Sequence, residues 1–169
     1  EESASIIQTV WKNDGKDIND LFNPKGIYIT DESGKKISGT LKNDSDHWFC
    51  IEGELNTTDE SFNVGYVIRN QESKALMYLT VSTDGPEELW PKLKRGEVNF
   101  RGKLPKHLLN AGIYKVSLIA SLHNKKWIFD PEKTTPSIEV VINGGLSKSP
   151  YWKSPREGAL APVIDWELF

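Results

Sequence analysis

The sequence predicts an all-β chain folded as an antiparallel β-sandwich of the immunoglobulin-like or jelly-roll kind. Three observations carry this. Short runs rich in aromatic and β-branched residues recur along the chain with apolar residues at every second position, the period of a half-buried strand. Turn-forming clusters separate them, and almost no stretch has helical periodicity. The chain has six Trp, six Phe and five Tyr within a modest 37% hydrophobic content, which suits sheets with one solvated face.

The central stretch is Asp46–Val81. Asp46–Asn56 (DHWFCIEGELN) sets Phe49, Ile51 and Leu55 on one side and Trp48, Cys50, Glu52 and Glu54 on the other. After a polar break at Thr57–Ser61, Phe62–Asn70 sets Phe62, Val64, Tyr66 and Ile68 against Asn63, Val67 and Arg69. Lys74–Val81 is apolar on both faces, so the direction of Tyr78 is open.

Before this centre, Ile6–Trp11 reads as extended and ends at the turn signal Asn13–Lys16. Asp17–Lys25 reads as irregular because of Pro24, and Gly26–Thr30 as a strand. Asp31–Gly34 is a tight turn from which Lys35–Ser38 returns, and Thr40–Ser45 is a polar loop. After the centre, Ser82–Leu93 is a long loop holding Trp90, and Glu97–Leu104 is a strand with Val98 and Phe100 opposite Asn99 and Arg101. Pro105–Asn110 reads as one helical turn with Pro105 in a tolerated first position. Ile113–Leu122 is the clearest strand, with Tyr114, Val116, Leu118, Ala120 and Leu122 inward. Trp127–Asp130 begins its partner, and Ile138–Ile142 is the last strand of the sandwich.

The expected organisation is a sandwich over residues 1–145 and an appendage over 146–169. The appendage is a Ser/Pro/Lys/Gly-rich linker followed by Pro162–Phe169 (PVIDWELF), which alternates like a strand. Such a strand either returns to its own sheet or crosses to a second copy, because strand exchange is a low-cost route to a dimer.

Composition excludes several classes. At 169 residues, a net charge of −3 and a pI near 5.7, the chain lacks the basic footprint of a nucleic-acid binder; Lys92, Lys94 and Arg95 read as a solvated turn. No apolar run approaches the roughly 18 residues of a membrane span. The acidic opening Glu1–Ser5 has no signal-peptide pattern, and the missing initiator Met points to an excised fragment or a processed chain. Cys50 has no second cysteine to pair with. No phosphate loop and no zinc spacing occur, and no cofactor is expected. Asp44, Asp46 and His47 read as a solvated loop rather than a metal site. Glu52 and Glu54 sit near the spacing of a retaining glycosidase pair, but two glutamates on an exposed face read first as solubilising charge.

Binding on a sheet face fits better. Sugars offer C–H patches and hydroxyls, which proteins meet with aromatic platforms and planar polar groups. The candidate carbohydrate-binding residues are Trp48, Glu52 and Arg69, on the non-core faces of strands taken as neighbours, with Tyr78, Ser117, Ser121 and His123. The groove they would form requires their strands to share a sheet. The competing reading has Trp48 packed under a loop or against the tail; Trp90 and Trp127 read as loop-borne contacts or as lids over the core, and Cys50 reads as packing rather than chemistry.

Several stretches together resemble one family, the C-terminal carbohydrate-binding domain of the ATP-binding subunit of bacterial O-antigen (lipopolysaccharide) ABC transporters. They are Val10-Trp11, Ile27–Gly34, Asn63–Ile68, Leu104-Pro105 with Leu108 and Gly112–Tyr114, and Arg156–Gly158 with Ala161-Pro162 and Trp166. The resemblance implies a β-sandwich that recognises the modified non-reducing end of lipid-linked O-antigen polysaccharide before export. It also implies a homodimer with exchanged C-terminal strands and no catalysis in this domain. It implies contact with the transporter's transmembrane subunit through an ATPase domain absent here, and a cytoplasmic place, peripheral at the inner membrane. No direct membrane insertion and no nucleic acid are expected. No binding residue is carried over from the family. The alternative function is a structural or adhesive β-sandwich that binds a protein partner.

Overall fold

The computed structural model describes residues 7–152 and 154–169. Ten strands follow in chain order: β1 (Val10–Lys12), β2 (Phe22–Thr30), β3 (Thr40–Leu41), β4 (His47–Leu55), β5 (Phe62–Asn70), β6 (Leu76–Val81), β7 (Gly96–Leu104), β8 (Gly112–Leu122), β9 (Lys126–Phe129) and β10 (Ser137–Ile142). One 3-10 turn, Glu87–Leu89, interrupts the β6–β7 loop.

The strands form two sheets. The first has the order β1-β2-β4-β7, and the second β3-β10-β8-β5-β6. β10 pairs with β8 over Gly112–Ser117, and β9 takes over along Ala120–Leu122. All pairs are antiparallel except the two-residue contact of β3 with β10. The expected all-β sandwich is therefore present, with a small mixed corner. No helix among the described residues is long and apolar enough to cross a membrane.

The core lies between the sheets and follows the alternation. Phe22, Ile27, Ile29, Phe49, Ile51 and Leu55 of the first sheet meet Phe62, Val64, Tyr66, Ile68, Tyr114, Val116 and Leu118 of the second, all at most 3% exposed. Phe22 packs edge-on against Phe62 at 5.7 Å between centroids, and the Phe49 and Tyr66 rings lie 5.2 Å apart, pinning the sheets face to face.

Several sequence expectations change. The irregular segment before Gly26 is instead the start of β2, because the Pro24/Gly26 register shift is a bulge, a place where a strand tolerates proline. Lys35–Ser38 returns only as a Thr30–Lys36 bridge. Of the run Ile6–Trp11, Ile6 lies outside the described residues with Glu1–Ser5, and the strand covers Val10–Lys12. Pro105–Asn110 is not helical. His107 has φ 56°, its N–H is donated to Asn43 O, and the Leu108 carbonyl accepts Ala161 N–H. Asn43 and the chain's C-terminal region thus take the backbone groups a helical turn would need. That region is docked up to Ala161, which is fully buried, with Leu160 bridging Leu109. Beyond it, Pro162–Phe169 pairs with no strand among the described residues and is exposed throughout.

A cup on the outer face of the first sheet

The expected neighbourhood of β4 and β5 does not exist. Each strand has an apolar face that must meet the other sheet, so residues 56–61 carry the chain across the core rather than around a hairpin. β4 lies between β2 and β7, and β5 between β6 and β8. Asp59 fixes the crossing by accepting from the Ser61 backbone and hydroxyl and from Lys125 Nζ at 2.8 Å, contacts that hold its carboxyl well below the usual carboxylate range.

The candidate residues are therefore divided. Trp48 and Glu52 face outward from the first sheet. Arg69, Ser117 and Ser121 belong to the outer face of the second, which is largely covered: Val67 and Ile119 on that face are 2% and 0% exposed. Arg69 lies 3.9 Å from Glu132, on the loop between β9 and β10, and the Ser121 hydroxyl is donated to buried Asn63 at 3.0 Å. His123 is exposed in the β8–β9 turn. Tyr78 stands opposite core Ile68 and packs inward. The Tyr66 hydroxyl donates to the Lys103 carbonyl at 2.7 Å, so the 2.8 Å bond to Tyr78 is donated by Tyr78. The single groove expected from all these residues is not formed.

A different set converges around Trp48 and Glu52. Register places Tyr28, Cys50 and Arg101 in one row across β2, β4 and β7, with Thr30, Trp48 and Lys103 above it and Gly26, Glu52 and Asn99 below. Cys50 is the small centre. Trp48 and Glu52 flank it along the strand, and Tyr28 and Arg101 flank it across the sheet. Large side chains thus stand around a small one, an arrangement termed the cup.

Its walls are tied together. The Tyr28 hydroxyl donates to Glu52 Oε1 at 2.7 Å. Burial and the Glu52 carboxylate push the Tyr28 phenol up to about 12, so it stays a donor at neutral pH. The Arg101 guanidinium lies 4.3 Å from the Trp48 ring centre, Lys103 Nζ 5.3 Å from it, and Lys36 Nζ 4.0 Å from the Tyr28 ring centre. Gly26 leaves room for Glu52, whose Oε2 is 3.6 Å from where a β-carbon would stand. Trp48 is half-buried beside these cations rather than sunk in the core. Cys50 is a buried packing residue, as expected, though on the outward side of β4; its thiol is 3.6 Å from Thr30 Oγ1, and burial pushes its pKa up.

Beyond the cup's β7 side, a cleft of about 360 Å³ opens between β6 and β7. Phe49, Val64, Tyr66 and Phe100 line it, and Asn99 and Arg101 are at its margin. Trp90 donates its indole N–H to Gly85 O within its own loop, and Trp127 is 49% exposed, so neither is a lid over the core. Asp46 accepts Lys106 N–H and lies 3.4 Å from Lys103.

Tyr28, Lys36, Asn99, Arg101 and Lys103 were absent from the sequence-derived site. Alternation placed Asn99 and Arg101 on a non-core face but could not say which strand β7 joins. The β2–β4–β7 pairing is the missing information.

The fold and this open, tethered face define a β-sandwich domain with an exposed aromatic and charged platform. No protein-family model matches the sequence, and no curated protein matches it. Among solved structures, the chain is similar to the crystal structure of the C-terminal domain of Wzt, with a TM-score of 0.61 and 14% sequence identity over 96% of this chain and 89% of that one. The likeness shows a shared fold across nearly the whole chain, and it agrees in kind with the resemblance carried by the sequence motifs.

Proposed function

We propose that the chain is a non-catalytic carbohydrate-binding domain that recognises the modified non-reducing end of lipid-linked O-antigen polysaccharide for export by an ABC transporter. The observation that carries this is the cup itself. It offers an indole, a phenol–carboxylate pair, a guanidinium and an amide within a few register positions on an open face. Aromatic surface meets sugar C–H groups, and planar polar groups meet paired hydroxyls. The likeness to the C-terminal domain of Wzt supports the transporter setting.

Within this reading the binding residues are Trp48 and Glu52 from the original set, joined by Tyr28, Asn99 and Arg101. In this reading Glu52 is a binding group, its carboxylate oriented by the Tyr28 hydroxyl. The domain would work in the cytoplasm at the inner membrane, beside an ATPase domain.

The exposed C-terminal arm supports a homodimer. Ile164, Trp166 and Leu168 are 67%, 92% and 104% exposed and alternate in sequence with Asp165 and Glu167. Apolar residues this exposed call for a cover that the described residues do not supply. A two-fold pair would present two cups, and avidity would offset weak single-site binding.

Hydroxyl-radical footprinting with the source polysaccharide tests the location. Protection is expected at Tyr28 and Trp48 and not at Trp127. Protection confined to the second sheet or to the arm contradicts it, and protection by a protein partner alone would favour the adhesive alternative.

A further inference from the structure

The cup has an uneven charge distribution on a protein whose formal net charge is −3. Among the described residues, Arg101 and Lys36 make no ion pair, whereas Lys103 is shared with Asp46. The one carboxylate in the cup, Glu52, accepts from Tyr28 and leans over Gly26, toward β2 and away from Arg101 on β7. Lys36 and Arg101 stand on opposite sides of Cys50, one over the Tyr28 ring and one over the Trp48 ring.

A guanidinium stacked on an indole is held in orientation by the ring face, while the N–H groups at its edge stay free. That is the arrangement suited to paired bonds with a carboxylate or phosphate. Stacking also uses no hydrogen-bonding capacity, so a ligand anion has no protein carboxylate to displace.

We propose that the cup selects a sugar carrying an anionic group, a carboxylate or a phosphate, held by Arg101 and Lys36. This rests on the glycan-binding reading and adds the charge of the residue bound. Neutral hydroxyls of the same sugar fall to Asn99 and Glu52, in the register row below Cys50.

The test is an NMR titration of the full chain with D-glucose, D-glucuronate and D-glucose 6-phosphate, reading the Trp48 indole N–H and the Arg101 Nε–H. Saturable shifts are expected with glucuronate, glucose 6-phosphate or both, about fivefold tighter than with glucose. The two acids separate carboxylate from phosphate recognition. The advantage should shrink with added salt. Arg101→Gln should bring acidic and neutral sugars level, and Arg101→Lys should keep part of the preference. Equal shifts with glucose and both acids overturn the anion preference but leave glycan binding standing. An acid preference that survives Arg101→Gln, or no shift at Arg101 with either acid, also overturns it. Glycan binding itself is judged separately, with intact polysaccharide.

Discussion

Tyr28 donates its hydroxyl to Glu52 across the β2–β4 pair at 2.7 Å, and this bond fixes one wall of the cup. A hydrogen bond to a charged group contributes about 1.5–3 kcal/mol where it is well shielded and less where it is half open. Tyr28→Phe is expected to leave the fold intact, with far-ultraviolet circular dichroism unchanged. It should weaken glycan binding several-fold by calorimetry, because Glu52 loses its orientation. Unchanged affinity would remove Tyr28 and Glu52 from the site.

Four of the five tyrosines have raised pKa values. Burial is the first cause for each: Tyr28 is pushed up to about 12, Tyr66 beyond the ordinary range, and Tyr78 and Tyr114 upward. The folded state therefore holds these protons more tightly than the unfolded state, whose phenols titrate near 10. This contribution to stability is complete below pH 10 and is lost as pH rises through the folded values. A titration followed at the tyrosinate absorbance should show most phenols ionising late, together with unfolding. Free ionisation near pH 10 with the fold intact would contradict the packing described.

Gly65 is a strict packing position. A β-carbon there would stand 1.9 Å from the Thr80 carbonyl oxygen, where β6 crosses close over β5. Backbone cannot yield as the end of a flexible side chain can. Gly65→Ala is expected to cost about 3 kcal/mol or more, or to prevent folding. Thermal denaturation reads this directly, and a shift of only a degree or two would show that the β5–β6 hairpin is looser.

The strands were legible in the sequence because their period of two is local. β5 was read with its full bounds, and β4 and β8 to within a residue or two, with their inward residues named correctly. The site was legible only in part, because a binding face is a property of pairing. Trp48 and Glu52 could be placed outward from β4 alone. Arg101 could be placed outward from β7 alone, but nothing local says that β7 lies beside β4. Arg69 lies away from Trp48 for the same reason: β5 follows β4 in sequence and joins the other sheet. Tyr78 was undetermined because both faces of β6 are apolar. The Pro105–Asn110 turn is not legible locally, because its backbone partners come from Asn43 and the docked C-terminal region, far away in sequence.

The C-terminal arm supplies a separable prediction. Because Ala161 is fully buried and Leu160 bridges Leu109, the sandwich should survive removal of residues 163–169 but not of the docked stretch before them. Light scattering should show a dimer for the full chain and a monomer for the truncated one, both folded. A dimer that persists after truncation would show that the arm is not the link.

The most direct test of the glycan-binding face is calorimetric titration with the source strain's O-polysaccharide, intact and with its non-reducing terminal residue removed, using wild type and Trp48→Ala. Wild type should bind the intact chain and lose at least about tenfold in affinity for the trimmed one. Trp48→Ala should bind neither well while melting near the wild-type temperature, since the half-exposed indole lies outside the core. Equal binding of both polysaccharides by wild type, or full affinity retained by a folded Trp48→Ala, would contradict the account.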